Sequence, residues 1–81
     1  MYGYGLNMNF ADLLLTQRIA YDGSGNAEYV GYAAPGTAEE SAGWMIYKLT
    51  YSGSSPVSKK WASGTNQQDK VWSNYAEYTY I

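Results

Sequence analysis

Residues 21–44 read YDGSGNAEYVGYAAPGTAEESAGW, and residues 51–72 read YSGSSPVSKKWASGTNQQDKVW. Both stretches open on Tyr-x-Gly-Ser, cross a short apolar run, reach Gly-Thr and close on Trp. The spacings agree: Tyr21 to Tyr51 is 30 positions, while Gly36 to Gly64 and Trp44 to Trp72 are 28 each. The offset of two falls in the first turn. Each unit therefore reads as strand, Gly-Ser turn, return strand, Gly-Thr cap, short turn and Trp. A lone hairpin is marginal in water, whereas three or more strands sharing an apolar face stand on their own. Two units supply that face.

Working outward, Gly23 and Gly25 can take positive φ, and Asp22 and Asn26 can hydrogen-bond nearby backbone, so DGSGN is a turn. The run 27–34 is its return strand and Pro35-Gly36 ends it. The run WMIYKLTY (44–51) is the strongest strand, apolar and aromatic on both sides, as a central strand is. After SGSSP, residues 57–62 return. Thr37/Glu40 and Thr65/Gln68 have capping-box spacing, which predicts a helical turn at each place. The tail NYAEYTYI (74–81) alternates and reads as a last strand. Residues 10–16 are ambiguous: Asn9 and Asp12 suit a helix start, while Leu13, Leu15, Gln17, Ile19 and Tyr21 suit one face of a strand. The expected fold class is all-β: a small antiparallel sandwich or open barrel of four to six strands built from two similar hairpin units. Residues 1–16 form an N-terminal arm and 17–81 the β domain. An α+β fold with 10–16 helical is the alternative. Trp44, Ile46 and Trp61 are the expected core.

Eighty-one residues bury only about 60% of their unfolded surface, so a chain this small gains from a staple. With no Cys and no His, that staple is neither a disulfide nor a thiolate or imidazole metal site. Nucleophilic chemistry that needs an imidazole base is excluded as well. A partner chain remains. The formal net charge is -2, and Lys59-Lys60 is the one cluster among five Lys and Arg, so nucleic acid is not an expected partner. No apolar run approaches the roughly 20 residues of a membrane span, so no membrane is expected.

Ten Tyr, three Trp and one Phe are too many aromatics for so small an interior, which places several at a surface or an interface. Chemistry-bearing motifs are weak. Glu39-Glu40 is a lone acidic pair best read as solvated. Asp22, Ser24 and Asn26 have the alternating oxygens of a calcium loop's first half, but Ala27 and Ala33 stand where Gly and Glu are required. Gly23-Ser24-Gly25 and Gly36-Thr37 lack the context of a phosphate loop. No catalytic, cofactor-binding or metal-binding residue is assigned, and the chain is expected not to be an enzyme.

The string YDGSGNAEYVGYAAPGTAEESAGWMIYKLTY, followed by WASGT, KVW and YAEYTYI, resembles a family of short proteins of tailed bacteriophages. These share a Tyr-Asp-x-x-Gly-Asn turn, a Gly-x-Ala-x-Pro-Gly stretch and a Trp-x-Ile-x-Lys strand. The resemblance covers about residues 18–81 and implies a virion or tail-associated structural protein. Family members often carry an acid after the Trp-Ala pair and an Asp in the second turn; here Ser63 and Ser52 stand there.

Two functions follow. One is a non-enzymatic, self-assembling homo-oligomeric subunit of a virion, tail or extracellular filament, meeting copies of itself and other virion proteins. Its assembly arm would be Tyr2, Tyr4, Leu6 and Met8, which alternate with small or polar residues and suit strand addition to a neighbour. The alternative is a monomeric binding module recognising, for example, carbohydrate through exposed Tyr and Trp.

Overall fold

A computed structural model describes residues 15–81. The fold is all-β and antiparallel. Strands β1 (Thr16–Tyr21), β2 (Ala27–Ala33), β3 (Ala42–Ser52) and β4 (Ser55–Trp61) lie side by side in sequence order. A two-residue strand, β5 (Lys70–Val71), pairs with the start of β3. It leads into a 3-10 segment, Trp72–Glu77. The second layer is thus not a second sheet. It is the C-terminal segment, laid over one face of a single sheet.

The doubled sequence is visible in the geometry. β4 begins and ends 28 positions after β2 (27 to 55, 33 to 61). Each return strand then enters a turn closed by a backbone bond, Thr37 N–H to the Ala34 carbonyl (3.1 Å) and Thr65 N–H to the Ala62 carbonyl (3.3 Å). Gly36 and Gly64 occupy the same place in these turns, with φ of 88° and 72°. Beyond the turns the two units meet: Ala42 pairs with Val71 and Trp44 with Lys70. β3 is 11 residues long because it ends the first unit and begins the second.

The core lies on the face bearing Trp44, Ile46, Ala33 and Ala62, all 0% exposed, and Trp72 closes it at 6%. Trp44 and Trp72, the closing residues of the two units, pack with ring centroids 5.9 Å apart. Tyr75, Tyr78 and Tyr80 of the tail complete the cover. Trp61 is not in this cluster and its core assignment is corrected. It is directly opposite Tyr47, whereas Ala62 bonds back to Ile46. Trp61 therefore projects from the other face.

Two further expectations change. The capping-box helices do not form: the Thr37 hydroxyl donates to the Ala34 carbonyl (2.7 Å), and Thr65 Oγ1 accepts from Gln67 N–H (3.1 Å). Both side chains are spent on turns. The tail 74–81 is not a regular strand; only Tyr80 bridges Ala62 after the 3-10 segment. Of the arm, Thr16 belongs to β1, while Tyr2, Tyr4, Leu6 and Met8, together with the helix-or-strand question over 10–14, lie outside the described residues.

Candidate functional site

Alternation along the paired strands puts Gln17 and Ile19 of β1, Val30 and Tyr32 of β2, Met45, Tyr47 and Leu49 of β3, and Lys59 and Trp61 of β4 on the face opposite the core. No described element packs over it. The 34–41 loop takes the Trp44 indole N–H on the Ala38 carbonyl (3.0 Å), and Glu39 pairs with Arg18 (2.6 Å), both on the core side. The C-terminal segment also lies there.

This open face carries an aromatic row. Tyr32 and Tyr47 are 6.5 Å apart, and Trp61 meets Tyr47 edge-on at 5.1 Å. The Lys59 ammonium sits 4.9 Å from the Tyr47 centroid and 5.4 Å from that of Trp61, within cation–π range. Gln17 Nε2 donates to the Tyr32 hydroxyl (2.7 Å) and fixes that end of the row. Val30 is buried beneath these side chains at 3% exposure, while Ile19 remains 37% exposed. The row is thus held in place by neighbours, and each of its three rings is half-buried.

The core side holds a different feature. Beyond the Trp44–Trp72 pair, a cavity of about 280 Å³ opens among Tyr29, Lys48, Thr50, Lys60, Tyr78 and Tyr80. Lys48 and Lys60 are directly opposite each other on β3 and β4. Tyr29 packs on Tyr75 (4.8 Å) and Tyr80 (5.4 Å). The Tyr80 hydroxyl donates to the Tyr75 carbonyl (2.6 Å). Burial, with the neighbouring phenols of Tyr29 and Tyr78, pushes the Tyr80 pKa well above its ordinary value, so this phenol stays neutral.

The weak motifs resolve into turns. The Asp22 carboxylate accepts the N–H groups of Ser24 (2.8 Å) and Asn26 (2.9 Å). These bonds, that from Asn26 foremost, hold its carboxyl below the ordinary value. No group of three or more acidic ligands suited to a metal occurs among the described residues. Sequence reasoning anticipated exposed aromatics without naming them. The cue for the row was alternation from Met45 to Leu49 combined with a register in which Tyr47 faces Trp61. Alternation is visible in a sequence; register is not. Set against protein-family models, curated proteins and solved structures, the chain matches none of them.

Proposed function

We propose that this chain is a non-enzymatic structural protein, a repeated self-assembling subunit of a virion, tail or extracellular filament, as its resemblance to short phage proteins implies. The observation that supports the reading is the open face. A chain with few residues to spare leaves Ile19, Tyr32, Met45, Leu49 and Trp61 on a sheet face that no described element covers. Contiguous apolar surface of this kind is removed from water by packing on another subunit. Among the described strands β1 is at one edge of the sheet, where a neighbour's N-terminal arm can extend the ladder. The opposite edge is less receptive. β4 carries Pro56, Lys59 and Lys60, and its end is paired with the tail through Ser63 N–H to the Thr79 carbonyl (2.7 Å).

The test is the mass of the purified chain by sedimentation velocity, with negative-stain imaging of whatever sediments fast. A regular assembly supports the proposal, and a discrete monomer at all concentrations overturns it. The aromatic row Tyr32–Tyr47–Trp61 also favours the second reading, a monomeric binding module, and a monomer would direct attention to that row.

A further inference from the structure

The cavity on the core side is chemically unlike the open face, and it does not depend on the assembly proposal. Lys48 and Lys60 are cross-strand partners on one face, a like-charge arrangement that destabilises a sheet. The described lining residues include no carboxylate. The Lys48 ammonium has Glu28 only at 3.9 Å and lies 5.6 Å from the Tyr29 ring centroid. Lys60 has no ion pair among the described residues. The Thr50 hydroxyl is spent on Ser58, and the Tyr78 hydroxyl accepts the Val71 N–H (2.8 Å), leaving its own proton to donate. A neutral Tyr80 adds no negative charge to offset the two ammonium groups. The cavity is thus cationic, walled by phenol rings, and just below the ordinary ligand range of about 300–1,000 Å³. That size suits one ring, not a chain. The geometry points to a binding site for a sugar carboxylate, a uronic or sialic acid residue. The two lysines take the carboxylate, and the Tyr29 and Tyr78 rings take the sugar. Among the described lining residues there is neither an Arg fork nor an array of backbone N–H groups to favour a phosphate.

The experiment is an amide-resolved NMR titration of the full chain with glucuronate and with sialic acid, alongside glucose, methyl glucuronate ester and inorganic sulfate. Saturable shifts at Lys48, Thr50, Lys60 and Tyr78 are expected with the acids, with binding at least about tenfold weaker for the two neutral sugars. Equal binding of ester and acid, sulfate binding as tight as the sugar acids, or no saturable shift with either acid overturns the proposal. A glycan ending in the same acid that moves the same amides supports the site and places its ligand at a chain terminus. A response to the free acid alone supports the site for the monosaccharide. Lys60→Glu supplies an independent check. It replaces a repulsive pair by an attractive one, so the variant melts roughly 1–5 °C higher while losing the titration. A variant that retains the shifts overturns the assignment, and its melting curve shows that it folds. Lys60→Gln, which removes the charge without inverting it, is expected to weaken binding in the same direction.

Discussion

At the scale of single residues, the packing of the two indoles governs stability. A Cβ on Gly31 would lie 2.6 Å from Cε3 and 2.8 Å from Cζ3 of Trp72, closer than atoms can approach. Gly31 is thus the floor on which Trp72 lies. Gly31→Ala forces the ring off the sheet and is expected to cost about 1–3 kcal/mol in urea unfolding. Trp44→Ala and Trp72→Ala open cavities at fully or nearly buried positions and should each cost roughly 3–5 kcal/mol. A domain of this length has a total stability of only about 4–12 kcal/mol. Trp61→Ala should be clearly milder, because its ring is half-exposed on the other face; equal losses from Trp61 and Trp72 would contradict the two-faced architecture. Trp44 and Ile46 were legible because they share one side of the strongest strand. Trp61 was not, because alternation within β4 says nothing about which of its sides aligns with the Trp44 side of β3. The better cue was the 28-residue spacing, which linked Trp44 to Trp72.

At the scale of elements, the turns carry what strand propensity does not. Ser63 has a φ of 56° beside Gly64 at 72°. A side chain there works against roughly 1–2 kcal/mol of left-handed strain, which outweighs the entropy cost of about 0.5–1 kcal/mol for introducing glycine. Ser63→Gly is therefore expected to raise stability by about 0.5–1 kcal/mol in the same urea assay. A loss would mean that the side chain contributes more than its backbone costs. The β1–β2 turn responds to acid. Asp22 titrates below its ordinary 3.8 because the Asn26 and Ser24 N–H groups bind its charged form. The stabilisation is present above the unfolded value and is lost as pH falls through the lower, folded value. An NMR titration should place the Asp22 midpoint below that of a model peptide, and Asp22→Ala should remove this part of the acid sensitivity. Both hairpins were legible from their Gly-Ser turns and alternating flanks. The tail misled because Tyr78 and Tyr80 alternate as in a strand. Their hydroxyls instead bond the Val71 N–H and the Tyr75 carbonyl, and those bonds belong to a 3-10 segment folded back on the core.

At the scale of the whole molecule, the two faces divide the work. One is closed by the chain's own C-terminal segment, and the other displays half-exposed aromatic and aliphatic side chains. The doubled sequence explains the closed face, since the closing Trp of each unit meets the other there. It does not explain the aromatic row of the open face. If assembly is driven by that face, it rests on apolar contact between chains with a formal net charge of -2 each. Screening shortens the range of charge interactions to about 8 Å at 0.15 M salt and 3 Å at 1 M, and leaves apolar burial intact. Raising salt to 1 M should therefore not dissolve the assembly. A polar substitution in the row, Leu49→Ser with Trp61→Ser, should dissolve it, and circular dichroism should still report the sheet, because neither residue belongs to the Trp44–Trp72 core. Deleting residues 1–9 separates the two modes of contact. Loss of assembly with an intact β-sheet signal assigns the interface to the arm and the β1 edge. Assembly that survives the deletion and fails with the double substitution assigns it to the open face. Assembly that survives both changes overturns the assignment of the contact to either the arm or the open face.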